Sequence, residues 1–445
     1  MMNWNELISS KRLGSKPAAK QAENYNRTQF QRDYDRIIFS SPFRRMQNKT
    51  QVFPLPGSIF VHNRLTHSLE VASVGRSLGN ILSEKLLAAG ETNPLISELG
   101  AVVSAACLAH DMGNPPFGHA GEEAISSYFR NGKGQNLELM LKPEEWKDFV
   151  YFDGNANALR LLSHQFHGRR AGGFALTYTT LASIVKYPFE SVNVTKPKFG
   201  FFQSEKACYE EIARELNIKQ LENNPLKFAR HPLVFLVEAA DDICYQLMDL
   251  EDAHKLGILT YEQTKALFLN FYDQQADKDL LAKIEATFNE VLDHNERIAY
   301  LRAGVINKLV HQCMAEFEIN QEAIMEGTFQ QSLISQVKGI SKVAMDEIQA
   351  LSIEKIYRHR AVVEVEISGH QIIGTLLEAF TEAVLSPDKG YSRRLISLMP
   401  VQYKVDHHST YEKVQSVIDF VSGMTDLYAL DLFRKIKGIN LPSLG

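Results

Sequence analysis

The chain contains few cysteines and lacks a long uninterrupted apolar segment, and each absence argues against a class of protein. Its 445 residues include only four cysteines, and none of them forms a C-x-x-C pair. This spacing argues against a disulfide framework and against a cysteine-rich zinc site. No apolar run is long enough to cross a bilayer, and the charged N-terminal residues are not followed by the apolar stretch of a signal peptide. We therefore expect a cytoplasmic protein without membrane contact.

A strong charge imbalance is also missing. The chain has 48 basic and 53 acidic residues, which gives a formal net charge of −5. Because nucleic-acid-binding proteins usually carry a basic excess, any polyanionic ligand must be met by a local basic cluster. One such run, from Arg44-Arg45 to Lys49, could also be a solvated helix face. The pair Arg169-Arg170 beside Gly172-Gly173 could be a flexible loop, an effector site or a nucleic-acid contact.

Helical periodicity dominates the rest of the sequence. Apolar residues recur at intervals of three and four over residues 65–88, which predicts an amphipathic helix. Residues 95–109 predict a largely apolar helix, residues 120–129 another, and residues 231–253 a long helix with Pro232 in its first turn. The pattern is helical again from 255 to 360. We therefore predict an all-α fold with at most short β segments.

Three segments do not follow this helical pattern clearly. Residues 131–148 are polar, which favours a surface insertion. Residues 188–205 contain several aromatic residues together with Pro188, Pro197 and Gly200, which favours a loop or a short hairpin. Residues 361–367 are compatible with a strand or with the start of a helix.

Four metal-capable side chains lie in apolar helical surroundings, at His67, His110, Asp111 and Asp241. A single histidine on an apolar helix, such as His67, is more often a core residue than a ligand. The His110-Asp111 pair is more informative because it ends an apolar helix just before a Pro-Pro turn. Asp241 lies within VFLVEAADDICY, where a carboxylate without a partner would be costly to bury. Together the four residues predict a site for Mg²⁺ or Mn²⁺, with Ni²⁺, Fe²⁺ and Co²⁺ as compatible alternatives.

Two further constellations lie close to these residues in sequence. His119 and Glu122 are separated by three positions at the start of a predicted helix, so their side chains can touch. Asp241, Tyr245 and Asp249 are separated by four positions each and therefore share one helix face. A ligand along that face would meet a carboxylate, a phenol and a second carboxylate, although a salt-bridged stripe would give the same spacing.

The segments that carry these residues resemble the HD-domain deoxynucleoside triphosphate triphosphohydrolases, in particular the bacterial dGTP triphosphohydrolases. The matching segments are FSSPFRRMQNKTQVFP (39–54), HNRLTHSLEV (62–71), LAHDMGNPPFGHAGEEAI (108–125), FDGNANALRLL (152–162), IVKYP (184–188) and EAADDICYQLMDLEDA (238–253), with a weaker match near 351–380. They occur in the expected order across most of the chain. Many phosphohydrolases share an isolated H…HD…D pattern, whereas GHAGEEAI, GNANALRLL and KYP are much more diagnostic of this family.

The resemblance implies a role for each matching residue. The implied metal ligands are His67, His110, Asp111 and Asp241, and the implied catalytic pair is His119 and Glu122. The implied substrate-binding residues are Gln51 and Asp249 at the sugar 3′-hydroxyl, Val52 under the sugar, Arg64, Asn155, Lys186 and Tyr245 around the triphosphate, Tyr187 beside it, and Tyr357 in the space of a ribose 2′-hydroxyl. One departure is Asp242, because some relatives carry lysine directly after the last metal-binding aspartate. The missing charge would then come from Lys186 or Lys198.

The implied activity is metal-dependent hydrolysis of dGTP, and of other dNTPs as further candidates, to a deoxynucleoside and inorganic triphosphate. The implied partners are further copies of the chain in a ring-like homo-hexamer and a nucleotide or single-stranded DNA effector. We divide the chain into an N-terminal segment that contributes to the nucleotide site (1–61), an HD core (62–254) and a C-terminal helical region packed on that core (255–445).

Two alternative functions remain open at this point. The first is another HD phosphohydrolase or phosphodiesterase, acting on cyclic nucleotides, nucleoside monophosphates or guanosine tetraphosphate. The second is a nucleotide-sensing or single-strand nucleic-acid-binding protein with a vestigial site. The presence of His119 and Glu122 argues against a vestigial site, and the overall acidity argues against nucleic acid as the main ligand.

Overall fold

Helices form most of the computed structural model, which describes residues 1–15, 27–54, 61–194, 198–403 and 409–439. In chain order the helices are α1 (Trp4–Leu7), α2 (Gln29–Ile38), α3 (Ser41–Arg45), α4 (Arg64–Ala88), α5 (Leu99–Ala109), α6 (Gly118–Arg130), α7 (Pro143–Val150), α8 (Gly154–Ser163), α9 (Tyr178–Ile184), α10 (Lys206–Glu215), α11 (Pro232–Lys255), α12 (Tyr261–Leu269), α13 (Lys278–Glu290), α14 (His294–Ile319), α15 (Gln321–Glu326), α16 (Leu333–Gln336), α17 (Ile340–Leu351), α18 (Arg360–Leu385), α19 (Gly390–Leu398), α20 (Thr410–Ser422) and α21 (Asp426–Ile436). In these described ranges the strands β1 (Gln220–Asn223) and β2 (Leu226–Phe228) form one antiparallel hairpin. The all-α prediction is confirmed.

The helices predicted from periodicity are present with closely similar bounds. The predictions over 65–88, 120–129 and 231–253 correspond to α4, α6 and α11, and the prediction over 95–109 corresponds to a 3₁₀ turn followed by α5. Local capping explains where the two longest of these begin. Asn63 and Thr66 form a reciprocal capping box at the start of α4. Pro232 occupies the first turn of α11, where it costs no helical hydrogen bond.

The interpretation of residues 131–148 as a polar surface insertion holds for most of the segment and fails at its C-terminal end. The segment forms a 3₁₀ turn (Lys133–Met140) and most of α7, and residues 131–145 are mostly exposed or half-buried. Trp146 and Asp148 are buried, and Leu137 and Trp146 form part of a core of apolar side chains. Composition averaged over the segment conceals this division.

The other two ambiguous segments are also resolved. Residues 361–367 belong to α18, so they are helical and not a strand. The described part of 188–205 forms loops and 3₁₀ turns, and residues 195–197 lie outside the described residues. Phe189 makes an isolated antiparallel bridge to Lys227, so this loop lies beside the β1–β2 hairpin instead of forming one.

Two clusters of buried apolar side chains organise the molecule. The larger one surrounds α4, α5, α9 and α11 and also contains Trp4 and Leu7 from the N-terminus. The second joins α6 and α7 to α18 and α20 through residues such as Phe129, Phe149 and Phe380. The division at residues 61 and 254 remains a prediction, and residues 16–26, 55–60, 404–408 and 440–445 within the divided chain lie outside the described residues. None of the described helices is both long and apolar enough to span a membrane.

Candidate active site

Three helices bring four metal-capable side chains to one point. Ligand atoms of His67 on α4 and of His110 and Asp111 at the end of α5 lie within 4.8 Å of one another. From α11, Asp241 Oδ1 lies 3.1 Å from His67 Nε2 and 3.5 Å from His110 Nε2. The residues that the sequence proposed as metal ligands are therefore neighbours, although they come from positions up to 174 residues apart.

The hydrogen bonding of His110 favours a metal-binding role. His110 Nδ1 lies 2.6 Å from the carbonyl oxygen of Cys107, which fixes the proton on that nitrogen. His110 Nε2 is buried without a hydrogen-bond partner and lies 3.5 Å from Asp241 Oδ1, so this nitrogen faces the cluster. Burial lowers the pKa of His110, but the charges of Asp111 and Asp241 outweigh it and raise the pKa to about 9. Two imidazoles and two carboxylates fit a divalent cation of hard or intermediate character.

Asp111 is held by two further polar side chains. Its Oδ2 accepts a 2.6 Å hydrogen bond from Arg64, and its Oδ1 accepts a 2.6 Å hydrogen bond from the Asn114 amide. Burial raises the pKa of Asp111, but the charges of Arg64, His110 and His67 outweigh it and the pKa is lowered. Asp111 is thus ionised and oriented, as a metal ligand must be.

The turn after Asp111 depends on glycine at two positions. A Cβ atom on Gly113 would lie 2.1 Å from the carbonyl oxygen of Gly154 on α8. Gly118 has a φ of +58°, and a Cβ there would lie 2.4 Å from a guanidinium nitrogen of Arg64. The motif HDMGNPPFG therefore packs directly against α8 and Arg64, and this packing turns the chain toward His119.

His119 and Glu122 form a hydrogen-bonded pair at the start of α6. His119 Nδ1 lies 3.0 Å from Glu122 Oε2, and Glu122 Oε1 accepts the backbone N–H of Gly154 at 2.9 Å. The hydrogen bond that His119 donates to Glu122 raises the pKa of His119. Burial raises the pKa of Glu122, but His119 and the N–H of Gly154 outweigh it and the pKa is lowered. An ionised carboxylate therefore holds a histidine that is exposed at the mouth of the site.

One cavity of about 360 Å³ connects these groups. Its lining includes Gln51, Arg64, His110, Asp111, His119, Glu122, Asn155, Lys186, Tyr187, Asp241 and Tyr245 from the sequence-based prediction. Asn114, Ser183, Lys198, Glu238 and Asp242 line it as well. Residues proposed from six separate segments of the chain therefore face the same space.

The cations in the cavity are balanced by nearby carboxylates. Lys186 Nζ lies 3.0 Å from Glu238 Oε1, which also has Arg230 beside its other oxygen. Lys198 Nζ lies 3.7 Å from Asp153 Oδ1, and burial is the main reason that the pKa of Asp153 is raised to about 6. Asp242, at the position where some relatives have lysine, is half-buried, and the charges of Lys186 and Arg230 act on it. Lys186 is thus a positive charge near that position, and Lys198 lines the same cavity.

Among the residues proposed to read the sugar, Gln51 lines the cavity, whereas Val52, Asp249 and Tyr357 are not among its described lining residues. Asp249 lies on α11, beyond Asp241 and Tyr245. Tyr357 donates a 2.8 Å hydrogen bond to Asp249 Oδ2, and its ring stacks on Tyr245 with centroids 6.1 Å apart. Burial raises the pKa of Asp249 to about 8. Gln51 presents a buried Oε1 without a hydrogen-bond partner, whereas its neighbour Val52 packs against the larger core. The structure thus places Tyr357 beside Asp249, although the sequence match around Tyr357 is weak.

The two basic clusters differ from a simple solvated surface. Arg44 is exposed, as expected for a helix face, but Lys49 is 3% exposed and donates to the carbonyl oxygens of Asn114 and Ser422. Burial lowers the pKa of Lys49 to about 7. Arg169 and Arg170 line a separate cavity of about 850 Å³ together with Arg36 and Arg45.

Sequence reasoning missed several residues that contribute to the site. Asn114 lies within a matching segment but was assigned no role, and its amide holds Asp111. Glu238, which pairs with Lys186, was part of a matching segment but was assigned no role. Asp426, which contacts the segments on both sides of the site, is more than 300 residues away in sequence. Only the first two carried a local signal, namely a polar residue within or next to a recognised motif.

Comparison with known proteins agrees with this geometry. A model described as "HD domain" matches residues 64–151, which include α4, α5 and α6 with His67, His110, Asp111 and His119. A model described as "Phosphohydrolase-associated domain" matches residues 335–435. The fold and the site thus define an HD-type phosphohydrolase.

Relatives of known name match almost the entire chain. A deoxyguanosinetriphosphate triphosphohydrolase-like protein of Pseudomonas aeruginosa is 38% identical over 99% of this chain and 100% of its own length. A protein of the same description from Synechocystis is 36% identical with the same coverage. A deoxyguanosinetriphosphate triphosphohydrolase of Yersinia pestis is 28% identical over 98% of this chain and 99% of its own length. The chain belongs to the dGTP triphosphohydrolase-like family of HD-domain proteins, and the resemblance found in its motifs is confirmed.

Proposed function

We propose that this protein hydrolyses dGTP to deoxyguanosine and inorganic triphosphate, with the other dNTPs as further candidate substrates. The observation that carries the proposal is the single cavity that joins a His/Asp cluster, a His–Glu pair and several cations. The names of full-length relatives point to the same substrate.

We infer that His67, His110, Asp111 and Asp241 hold one divalent cation, Mg²⁺ or Mn²⁺. The buried, unpartnered Nε2 of His110 and the ionised Asp111 support this assignment. A cation bound there supplies Lewis-acid polarisation of a phosphate oxygen and lowers the pKa of water. Arg64 donates to Asp111 and also lines the cavity, so it can contact both a metal ligand and the substrate.

His119 is the group proposed to move a proton. Glu122 fixes the ring through Nδ1, which leaves Nε2 available to a substrate oxygen or a water. Because its pKa is raised, His119 retains its proton to a higher pH than an isolated histidine does. It can then protonate the departing 5′-oxygen of the deoxynucleoside.

The remaining polar residues bind and orient the nucleotide. Lys186 and Lys198 offset negative charge on the phosphates, as does Arg64. Asn155 and Tyr245 line the same space, with Tyr187 at its edge. Gln51 and Asp249 read the 3′-hydroxyl, Val52 packs beneath the sugar, and Tyr357 closes the 2′ position against ribonucleotides.

Product analysis tests this function. The purified protein is incubated with each of the four dNTPs and with GTP, with and without Mg²⁺ or Mn²⁺. Release of deoxyguanosine and intact triphosphate from dGTP is the expected outcome, with little reaction on GTP. The Asp111→Ala variant serves as the control for contaminating phosphatases, since it lacks a proposed metal ligand. Release of monophosphate or pyrophosphate, or turnover of cyclic nucleotides or guanosine tetraphosphate alone, would indicate a different HD phosphohydrolase.

We also propose a location for the effector that the family resemblance implies. The 850 Å³ cavity is lined by Arg36, Arg45, Arg169 and Arg170, and no carboxylate is among its described lining residues. Burial lowers the pKa of Arg45, so a phosphate-bearing ligand in this cavity would stabilise the charged form of its guanidinium. If a nucleotide effector binds in this cavity, the wild-type protein should bind more than one dNTP per chain, and Arg45→Ala should lose the additional binding. Single-stranded DNA competing for this cavity would identify the effector as nucleic acid.

We further propose that the chain forms a ring-like homo-hexamer, as the family resemblance implies. Light scattering coupled to size-exclusion chromatography measures the mass of the assembly directly. A mass close to that of the 50.3 kDa chain would reject the hexamer.

A further inference from the structure

The loop between Asp111 and His119 is held by a carboxylate from the C-terminal part of the chain. Asp426, the first residue of α21, accepts the backbone N–H of Phe117 on Oδ1 at 3.0 Å. Its other oxygen, Oδ2, accepts the backbone N–H of Thr50 at 2.8 Å. Phe117 lies two residues before His119, and Thr50 directly precedes Gln51. One side chain thus connects the two segments that carry the proposed proton-transfer and sugar-reading groups.

The backbone at Phe117 requires such an anchor. Phe117 has a φ of +63°, a left-handed conformation that a residue with a side chain adopts only when its surroundings enforce it. It also precedes α6 without any side-chain cap of its own. The hydrogen bond from its N–H to Asp426 is therefore one of the contacts that maintain this turn.

A second contact from the C-terminal part holds the same loop. Lys49 Nζ donates to the carbonyl oxygen of Asn114 at 2.6 Å and to that of Ser422 at 2.9 Å. The amide of Asn157 on α8 bridges the carbonyl oxygen of Gly113 and the hydroxyl of Ser422. Asn114 links this hydrogen-bond network to Asp111, a proposed metal ligand, because its side-chain amide donates to Asp111.

Helix capping does not explain the position of Asp426. An acidic residue in the first turn of a helix is favourable in general, because of the helix dipole. However, both oxygens of Asp426 accept N–H groups from distant segments, and Thr425 already caps α21. Asp426 is also 8% exposed, so burying its charge is favourable only with such partners.

We propose that Asp426 is a positioning residue through which the C-terminal part of the chain sets the geometry of the active-site loop. This inference rests on the proposed function for its kinetic readout. Asp426 does not contact the substrate cavity, and it acts through the backbone at Phe117 and Thr50. The region matched by the phosphohydrolase-associated model thereby becomes part of the catalytic apparatus instead of a separate appendage.

The substitution Asp426→Asn tests this role with little change in volume. An asparagine has one acceptor oxygen, so one of the two N–H groups must face its amide N–H₂ and lose its partner. We expect kcat for dGTP to fall by about 10- to 100-fold, because small displacements of a positioned group have effects of this size. KM and metal content should remain close to those of the wild type. Asp431→Asn, on the same helix but exposed and paired only with Lys435, is the matched control and should leave kcat unchanged.

Hydrogen exchange measures the anchor independently of the substrate. Peptides covering residues 46–54 and 112–118 should exchange faster in Asp426→Asn than in the wild type, with no change over α13. If that variant does not fold, Asp426→Glu, which keeps both oxygens but displaces them, is measured in the same way. Unchanged exchange, or a lowered melting temperature with a normal kcat per folded molecule, would overturn the inference. If the wild type releases triphosphate from no dNTP, the proposed function fails, while the exchange measurement still decides the role of Asp426.

Discussion

His119 is exposed to solvent, yet one neighbour determines its chemistry. The hydrogen bond to Glu122 orients the ring and raises its pKa, and the N–H of Gly154 in turn fixes Glu122. The proposed metal ligands do not include His119, so its removal should affect proton transfer more than metal binding.

We expect His119→Ala to keep its metal and to bind dGTP nearly normally. Its kcat should fall by roughly 10²- to 10⁴-fold, as is typical when a positioned proton-transfer group is lost. Single-turnover rates and melting curves are measured together, with the exposed His167→Ala as the control. A lowered melting temperature with a near-normal rate would show that His119 only stabilises the start of α6.

Asp249 is the carboxyl group proposed to read the sugar 3′-hydroxyl. Burial raises its pKa to about 8, and Tyr357 donates to its Oδ2. A site built to hydrogen-bond a hydroxyl strongly rejects an analogue that lacks it.

We therefore expect Asp249→Ala to reduce kcat/KM more for dGTP than for its 3′-deoxy analogue. The comparison uses both nucleotides with the wild type and the variant under identical metal concentrations. Equal losses on the two substrates would remove Asp249 from 3′-hydroxyl recognition and leave it a structural partner of Tyr357.

At the scale of the element, α11 depends on an uncharged histidine at its N-terminus. His231 is fully buried, its Nδ1 accepts the N–H of Leu233, and its Nε2 lies 3.0 Å from the carbonyl oxygen of Leu7. Burial lowers the pKa of His231 to about 4, although the hydrogen bond to the carbonyl of Leu7 acts in the opposite direction. A proton on Nδ1 would also face the N–H of Leu233 that this nitrogen accepts. This cap orients the helix that presents Asp241 and Asp249.

The lowered pKa of His231 makes stability depend on pH in a defined direction. Below pH 6.5 the unfolded chain binds a proton that the folded chain excludes down to about pH 4. The free energy of unfolding should therefore fall by about 2 kcal/mol between pH 7 and pH 4.5 through this group alone. In His231→Asn, which can still cap α11 but does not titrate, that part of the loss should disappear. Denaturant titrations at the two pH values provide the test, and an equal loss in both proteins would contradict it.

At the scale of the whole molecule, the second core joins sequence-distant regions. Phe149 from α7 is fully buried and stacks between Phe129 of α6 and Tyr411 of α20. Helix α7, which belongs to the region matched by the HD model, therefore packs against the region matched by the associated model.

We expect Phe149→Ala to lower the free energy of unfolding by about 3–5 kcal/mol, the usual cost of removing a buried phenylalanine. Leu139→Ala, in the 3₁₀ turn before α7 but 95% exposed, should change it very little. Chemical denaturation of both variants provides the measurement. Similar stabilities for the two variants would mean that α7 does not contribute to the core as the structure shows.

The sequence alone determined the helical class, the bounds of α4, α6 and α11, and the four proposed metal ligands. Each of these depends on local information. Apolar periodicity defines a helix without reference to its neighbours, and a carboxylate in an apolar helix, such as Asp241, signals a partner because burying it alone is costly. The motif around His110 and His119 added the family, which the relatives confirm.

Only the tertiary structure decided the features that depend on distant partners. Trp146 lies in a polar segment and Phe149 directly follows that segment, and their burial depends on a core shared with α18 and α20, which no local pattern reveals. Tyr357 is positioned by its hydrogen bond to Asp249, which lies 108 residues earlier in the chain. Asp426 is an ordinary first-turn acidic residue in the sequence, and it becomes an anchor of the active-site loop because its two oxygens meet N–H groups brought by folding from 309 and 376 residues away.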